Sequence, residues 1–291
     1  MPRDTTSALT LARRILQTAS ADVESTEAAA LSDEPDGLHQ HRISVRRLRS
    51  VAKALASTTS TGQTRELSAA LAPWGRTLGE ARDAEVRADR AEKALAECGI
   101  DDADARRRLV GDERAAYRHL HDRVVEENAT EAGRTRTRAV REAGLRFDLD
   151  DPEVPAQKVV RRLLRAEVRR VSRAARRSDD SLERLHAVRK AARRTRYLAE
   201  AIDRADSDVV GADGRRLGRA AKRIHKLLGE HRDELLLADR ATRLRGRAFT
   251  AQEETGPYDA VAGAASARAA EHLERLPKAL EKLKKAAKRV S

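Results

Sequence analysis

The chain has 291 residues and a formal net charge of +13, because 60 residues are Lys or Arg and only 47 are Asp or Glu. Aromatic residues make up 2% of the chain, which argues against a strand-rich fold, and the single cysteine, Cys98, excludes an internal disulfide or a Cys-based metal site. Such a charge predicts an acidic partner, of which nucleic acid, anionic lipid and polyphosphate are the main classes.

The first half of the chain, residues 1–147, is predicted to form four amphipathic helices joined by short loops. Their expected bounds are 6–30, 38–56, 65–97 and 102–127, and the breaks fall at turn-forming residues in 32–37, in 57–62 and at Gly99. Residues 147–155 contain Pro152 and Pro155 in an acidic stretch and are predicted to link this half to the next. Four such helices favour an up-down bundle.

The second predicted helix carries positive charge along one face. With His39 at zero on a helical wheel of about 100° per residue, its basic residues lie within about 80° of arc: Arg42, Arg46, Arg49 and Lys53. No acidic residue interrupts this stripe, although like charges at this spacing destabilise a helix. A merely solvated face is the plain alternative, but such a face usually mixes Glu with Arg, so the stripe favours an anion-binding surface.

Three neighbours of the stripe are assigned other roles. His41 projects about 200° from His39, onto the apolar side of the helix, and is predicted to be a buried structural residue. Arg47 lies off the stripe. The apolar side itself is expected to comprise Val45, Leu48, Ala52 and Leu55. The role of His39 stays open, because a neutral imidazole could donate its N–H to a phosphate oxygen and a protonated one could pair with it.

The second half repeats this stripe at an offset of 147 residues, as His186, Arg189, Arg193 and Arg196. Its apolar side is expected to comprise Val188, Ala192, Ala199 and Ile202, and Glu200 stands where the first copy has Lys53. The predicted helices of this half are residues 155–177, 181–204, 213–245 and 258–289, with breaks at 178–180 and 255–257.

A second motif repeats in the same order. The segment Leu-Gly-Glu-Ala-Arg-Asp at 78–83 returns as Leu-Gly-Glu-His-Arg-Asp at 228–233, an offset of 150 residues. Ordered matches at nearly constant offset indicate an internal duplication. We therefore predict an all-α fold with two four-helix bundles related by a pseudo-two-fold axis, formed by residues 1–147 and 153–291 within one domain over 1–291.

Further cations extend the predicted basic surface unequally. The first helix of the second half has a broad basic face that includes Arg161 and Arg165. The third helices contribute Arg76 in the first half and Lys222 with Lys226 in the second, where the first half has Ala72 in place of Lys222. The site is therefore expected to be richer in cations on the second half.

The duplicated pattern His-x-x-Arg-x-x-x-Arg-Arg-x-Arg, followed one helix later by Leu-Gly-x-x-Arg-Asp, resembles the CHAD family, the conserved-histidine α-helical domain. The resemblance covers nearly the whole chain. It implies a polyphosphate-binding module whose basic residues line a groove or pore between two bundles. The family is often fused to a triphosphate-tunnel catalytic domain, but this sequence has no Glu-x-Glu-x-Lys signature, so no enzymatic activity is expected.

The predicted function is therefore non-catalytic binding of long-chain inorganic polyphosphate. No catalytic residue, metal ligand set or cofactor is predicted. The expected binding residues are His39, Arg42, Arg46, Arg49, Lys53, Arg76, Arg161, Arg165, His186, Arg189, Arg193, Arg196, Lys222 and Lys226.

The basic composition is compatible with three other classes of function. A nucleic-acid-binding protein is the main alternative, although the few aromatic residues offer no stacking platform for single strands. A phosphohydrolase or phosphohistidine carrier using His39 or His186 would normally need a metal and its carboxylates beside the phosphate, and the stripes contain none. Peripheral membrane binding is not expected, because the sequence lacks the large apolar residues that an interfacial helix would use. No apolar run could cross a bilayer and the N-terminus has no apolar stretch of signal-peptide type, so an intracellular protein is expected. A cytoplasmic protein is expected, with granule association, preferred polymer length and oligomeric state left open.

Overall fold

The computed structural model describes residues 6–176 and 181–290, and this part of the chain confirms the all-α prediction. The β-type pairing found there is an isolated bridge between Ser7 and Pro155. A π-helical turn, Arg107–Gly111, joins the fourth helix to the fifth. The helices are α1 (Ala8–Leu31), α2 (Gly37–Leu55), α3 (Gln63–Glu97), α4 (Ala103–Arg106), α5 (Asp112–Ala129), α6 (Glu131–Glu142), α7 (Ala156–Ala175), α8 (Leu182–Ala205), α9 (Ser207–Thr250), α10 (Gly256–Glu274) and α11 (Leu276–Val290).

Short polar side chains fix where several helices begin. The side chains of Ser7, Asp102, Thr130 and Ser181 each accept a hydrogen bond from a backbone N–H in the first turn of α1, α4, α6 and α8. Each bond satisfies a donor that has no partner inside the helix, which is worth about 1 kcal/mol per cap. These caps lie within two residues of the predicted starts of α1, α4 and α8.

The structure corrects the prediction of four helices per half. Helix α6 was not predicted, because its polar sequence lacks an apolar stripe, but the Thr130 cap starts it and Gly133 allows its close approach to Asn128. The predicted helix 258–289 breaks at Arg275, where Pro277 opens α11. Helix α9 starts at Ser207, before the predicted 213, and is kinked at Gly211, whose φ is 64°. The predicted end at Arg177 and the break at 178–180 lie outside the described residues.

The chain forms two compact units, and each draws on both halves of the sequence. The first unit comprises Met1–Arg76, Val125–His225 and Lys278–Ser291, and the second comprises Thr77–Val124 and Lys226–Pro277. The boundary falls inside α3 and α9. The units and the internal repeat therefore divide the chain differently, and the pseudo-two-fold relation between residues 1–147 and 153–291 stays a prediction.

The first unit is built on the first two helices of each half. Helix α1 packs on α2, α7 packs on α8, and α2, α1 and α8 pack against one another. The apolar faces predicted for α2 and α8 are buried, which confirms both assignments. The core includes Leu16, Leu48, Leu164 and Leu198, each at most 1% exposed.

The predicted linker is non-helical, as expected, but it is a packed part of the first unit. Phe147 is fully buried, and its carbonyl accepts a hydrogen bond of 2.8 Å from Nε of Arg13 in α1. The backbone N–H of Asp150 donates to the Thr58 carbonyl at 3.3 Å. These bonds anchor the segment to α1 and to the loop after α2.

The second unit has its own apolar core, formed by α3, the turn around α4, α9 and α10. Two nearly buried carboxylates lie beside it. Glu113 binds Arg87 at 2.9 Å and Arg240 at 2.6 Å. Glu234 binds Arg90 at 2.6 Å and Arg268 at 3.1 Å. The apolar members of this core include Ala91, Leu95, Leu109, Ala241, Leu244, Tyr258 and Val261.

Candidate functional site

The two basic stripes converge in the first unit, because α2 packs directly against α8. Burial, followed by the positive charges of Arg46, Arg189 and Arg42, lowers the pKa of the Arg193 guanidinium to about 10. Arg46 and Arg42 belong to α2, whereas Arg189 and Arg193 belong to α8. The structure thus brings the centres of both stripes into one electrostatic field. We call the following set the inner cluster: Arg42, Arg46, Arg49, Lys53, Arg189, Lys190, Arg193, Arg196 and His225.

Adjacent arginines in each stripe have opposite environments. Arg47 pairs with Asp22 of α1 at 2.9 Å, and its repeat counterpart Arg194 pairs with Glu167 of α7 at 2.8 Å. Within the described part of the chain, no carboxylate lies within 4.0 Å of the preceding residues, Arg46 and Arg193. The fold therefore pairs the second arginine of each motif with a carboxylate and leaves the first, which is half-buried, without one.

At the far end of the first stripe, Arg49 lies against α3. A Cβ atom on Gly75 would lie 3.0 Å from Nη1 of Arg49, so the absence of a side chain at Gly75 lets the guanidinium cross α3 closely. Burial, then the charges of Arg46 and Arg76, lowers the pKa of Arg49. Its Nε is buried without a hydrogen-bond partner among the described residues. Arg76 itself is exposed, as is Lys53.

Lys53 links this end of the stripe to α8. Burial lowers its pKa, and the charges of Arg49, Arg194, Lys190 and Arg193 lower it further. Lys190 was not among the predicted site residues, because it stands one position after Arg189 and off the stripe on the helical wheel. Packing of α2 against α8, which the sequence does not reveal, brings it into the field of Lys53.

His225 of α9 is a member of the inner cluster that sequence reasoning missed. Its Nδ1 lies 3.5 Å from Nη1 of Arg196, and its Nε2 is buried with no hydrogen-bond partner in the described structure. Burial, then the charges of Arg189, Arg193, Arg196 and Arg46, lowers its pKa to about 3. The imidazole is therefore neutral at pH 7.

The internal repeat contains the signal that could have located His225. At the offset of 150 residues that relates the two Leu-Gly motifs, Gly75 corresponds to His225. At the offset of 147, Arg49 corresponds to Arg196. Each pair is in contact, so the two halves place equivalent arginines over equivalent positions of the third helix. Arg196 differs from Arg49 in one respect, because Nε of Arg196 also donates to Glu200 at 2.7 Å.

His41 is fully buried, which confirms its predicted structural role. Its Nε2 accepts a 3.0 Å hydrogen bond from Trp74 Nε1, so the neutral ring carries its proton on Nδ1, 3.0 Å from Oγ1 of Thr26. Burial, then the charge of Arg136, lowers the pKa of His41 to about 4. The Arg136 guanidinium stacks 3.9 Å from the Trp74 ring. This group stabilises α2 against α3 and does not belong to the inner cluster.

The two motif histidines differ in exposure. His39 lies in the first turn of α2 and is half-buried, whereas His186 lies in the second turn of α8 and is exposed. Each precedes the arginines of its stripe by one helical turn. Their roles remain predictions.

Two predicted residues, Arg161 and Arg165, face away from α8 and its part of the inner cluster. On α7 the buried residues, including Glu167, occupy the arc opposite Arg161 and Arg165, so these two arginines face away from α8. Nε of Arg165 donates to the Val290 carbonyl of α11 at 3.3 Å. Lys226 belongs to the second unit, where it pairs with Glu230 at 3.6 Å. Lys222 is exposed on α9 in the first unit.

Chemically, the inner cluster is suited to binding a multiply charged anion. Guanidinium groups match phosphate oxygens in geometry and stay protonated even with a lowered pKa. Residues 6–176 and 181–290 contain no group of three or more His, Cys, Asp or Glu side chains that could hold a metal ion. Among the same residues, no helix combines the length and apolarity needed to span a bilayer.

Two relatives share sequence with most of this chain. The uncharacterized proteins MT2285 and Rv2226, from two strains of Mycobacterium tuberculosis, are each 28% identical to it over 272 residues. The alignments cover 90% of this chain and 51% of each relative, so the chain spans about half the length of the curated relatives it matches.

Solved structures share the fold. The CHAD domain from the plant Ricinus communis has a TM-score of 0.66 and 21% identity, over 99% of this chain and 94% of that one. PptA from Streptomyces chartreusis has a TM-score of 0.63 and 19% identity, over 97% of this chain and 99% of that one. The sequence model of the CHAD domain matches residues 14–242, which include both basic stripes and both Leu-Gly motifs. The chain therefore belongs to the CHAD domain family.

Proposed function

We propose that the inner cluster binds linear inorganic polyphosphate and that the protein does so without catalysis. The observation that carries the proposal is the contrast between neighbouring arginines. Arg47 and Arg194 have carboxylate partners at 2.9 and 2.8 Å, whereas the half-buried Arg46 and Arg193 have none within the described structure. Removing like charges from water is unfavourable unless an anion offsets them.

The shape of the cluster favours a long polymer over a small anion. Cations recur along α2 from Arg42 to Lys53 and along α8 from Arg189 to Arg196, at intervals of one helical turn. One phosphate could satisfy only a few of these groups, whereas a linear polymer presents one negative charge after another. Membership of the CHAD family, which is understood as polyphosphate-binding, supports the same ligand.

Charge reversal at the centre of the cluster tests the proposal. The double variant Arg46→Glu with Arg193→Glu should bind polyphosphate more than about one hundredfold more weakly, because two charge-assisted contacts become repulsive. Helicity should be unchanged by circular dichroism, since neither side chain has an ion-pair partner in the described structure. The matched control, Arg65→Glu with Arg247→Glu, reverses two exposed charges outside the cluster and should bind as the wild type does. Unchanged affinity in the first variant would place the site elsewhere.

Nucleic acid is the second candidate, and the net charge of +13 favours it. A competition assay separates the two ligands. Long-chain polyphosphate should displace duplex DNA or RNA at equal phosphate concentration, and the reverse displacement should be weak. If either nucleic acid displaced polyphosphate equally well, general electrostatic attraction would account for the binding.

The non-catalytic part of the proposal rests on the two arginines at the centre of the inner cluster, Arg46 and Arg193, which have no carboxylate within 4.0 Å among the described residues. Phosphoryl transfer normally places carboxylate-bound metal beside the phosphate. Release of inorganic phosphate from polyphosphate in the presence of magnesium or manganese would overturn it. We place this binding in the cytoplasm, where association with polyphosphate granules can be tested by microscopy of the tagged protein.

A further inference from the structure

The first unit carries a second basic surface, on α7 and α11. At about 100° per residue, the exposed cations of α7 span about 120° of arc. The buried residues of α7, which include Val160, Leu164 and Glu167, fill the opposite arc. We call the following set the outer face: Lys158, Arg161, Arg162, Arg165, Arg169 and Arg173 of α7, with Lys284 and Lys288 of α11.

Contacts between α7 and α11 join the cations of both helices into one surface. Nε of Arg165 donates to the Val290 carbonyl at 3.3 Å, and a groove near the other end of α7 is lined by Arg176 and Lys284. The earlier residue of α7 thus lies beside the later residue of α11, so the two helices are antiparallel. From Arg161 to Arg173 the row extends about 18 Å along α7.

The arginines of the outer face on α7 lack the acidic neighbours that usually accompany exposed arginines. Within the described structure, no carboxylate lies within 4.0 Å of Arg161, Arg169 or Arg173. Glu167, the acidic residue of α7, is 2% exposed and turns inward to Arg194. Elsewhere the chain pairs exposed arginines readily, as with Arg134 and Glu131 at 2.7 Å. On α11, Glu281 lines the groove beside Lys284 and pairs with Lys285 at 3.0 Å, so the uninterrupted row of cations is that of α7. An uninterrupted row of this kind fits an extended polyanion.

The outer face differs from the inner cluster in what it can recognise. Its side chains are exposed, whereas the arginines of the inner cluster are half-buried. Exposed arginines bind a phosphate chain through charge, with a strong dependence on salt and little demand on geometry. A lipid bilayer is a poor match, because the large exposed apolar residues of the described chain lie outside α7 and α11, at Val125, Leu145, Leu182 and Phe249.

We propose that the outer face is a second contact surface for long polyphosphate chains, separate from the inner cluster and engaged only when the polymer is long enough to reach both. This proposal rests on the proposed function of the inner cluster. Two surfaces on one unit that bind the same polymer act in concert, because binding at one raises the local concentration of polymer at the other. Short chains should therefore depend on the inner cluster alone, and long chains on both.

A triple variant tests the proposal with two probes, tripolyphosphate and a polyphosphate of about one hundred phosphates. The outer variant carries Arg161→Gln, Arg169→Gln and Arg173→Gln. It should bind the long chain about tenfold more weakly, and the slope of log affinity against log salt should become shallower by about two to three. Its affinity for tripolyphosphate should equal that of the wild type. The charge-matched control, Arg65→Gln with Arg118→Gln and Arg247→Gln, removes three exposed cations elsewhere and should bind the long chain within about twofold of the wild type.

Two results would overturn the proposal. One is an outer variant that binds the long chain as the control does. The other is an outer variant that loses duplex DNA binding but keeps long-chain polyphosphate binding, which would assign the outer face to nucleic acid. The variant Lys284→Gln with Lys288→Gln, on the other helix, should weaken long-chain binding in the same direction, so a folding defect in α7 alone cannot imitate the effect. A failure of the proposed function of the inner cluster would give a different result. The wild type would then bind tripolyphosphate no better than the Arg46→Glu, Arg193→Glu variant does.

Discussion

Nη1 of Arg196 lies 3.5 Å from Nδ1 of His225, in the position where the first half of the repeat sets Arg49 over Gly75. The second half therefore has the imidazole of His225 at the position where the first half has Gly75, which leaves room for a guanidinium. Because Nε2 of His225 is buried without a hydrogen-bond partner in the described structure, this ring is poised to respond to an anion among the arginines.

Polyphosphate binding should be coupled to protonation of His225. Burial and, after it, the charges of four arginines lower the pKa of His225 to about 3, so the imidazole is neutral at pH 5 in the free protein. Bound phosphates would offset those charges and raise that pKa, so binding should take up protons and strengthen as the pH falls. Isothermal titration calorimetry at pH 5 in two buffers of different ionisation enthalpy measures the uptake. The His225→Gln variant should take up fewer protons than the wild type; equal uptake would exclude a role for His225.

The stability of the free protein should fall in acid. The folded-state pKa values of His41 and His225, about 4 and about 3, lie below the ordinary value of 6.5. The unfolded chain therefore binds protons below pH 6.5 while the folded chain does not, and this stability is present above pH 6.5 and lost as the pH falls toward 3–4. Each histidine contributes a slope of up to about 1.4 kcal/mol per pH unit. Urea denaturation at pH 7, 6 and 5 measures this change in the free energy of unfolding. A free energy that did not change with pH would contradict the buried neutral state of both rings.

Trp74 should stabilise the first unit through its bond to His41. Trp74→Phe removes the Nε1 donor and leaves His41 Nε2, at 0% exposure, without a partner. The free energy of unfolding should fall by about 1–3 kcal/mol from the lost bond, with an added loss from the smaller ring. Urea denaturation followed by circular dichroism measures the change. A variant as stable as the wild type would mean that the bond contributes nothing.

Replacing a buried, paired glutamate of the second unit should lower the free energy of unfolding more than replacing an exposed one. Glu113→Gln leaves Arg87 and Arg240 without the carboxylate that binds both, and should cost about 3–5 kcal/mol. Glu92 also binds two arginines, Arg106 and Arg114, but is more exposed, so Glu92→Gln should cost less than about 1 kcal/mol. Thermal unfolding of the two variants compares them directly. Equal losses would show that burial does not set the strength of these pairs.

Periodicity was sufficient to predict most of the fold and the residues of α2 and α8 that form much of the inner cluster. It located α2 and α8, their apolar faces and the buried His41, because these depend on one helix at a time. It missed α6, whose start depends on the Thr130 cap and a glycine contact, and the break before Pro277. It also missed His225 and grouped Arg161 with Arg193. The positions of Arg161 and His225 depend on how the helices pack. Helix α8 lies on the buried side of α7, away from Arg161, and α9 brings His225 to α8.

The most direct test of the inner cluster is the crystal structure of the protein with a medium-chain polyphosphate. Phosphate density should follow the inner cluster along α2 and α8, with phosphoryl oxygens within hydrogen-bonding distance of the guanidinium groups of Arg46 and Arg193. Polymer bound only on the outer face, or only in the second unit, with Arg46 and Arg193 left without phosphate contacts, would contradict the assignment of the inner cluster as the binding site.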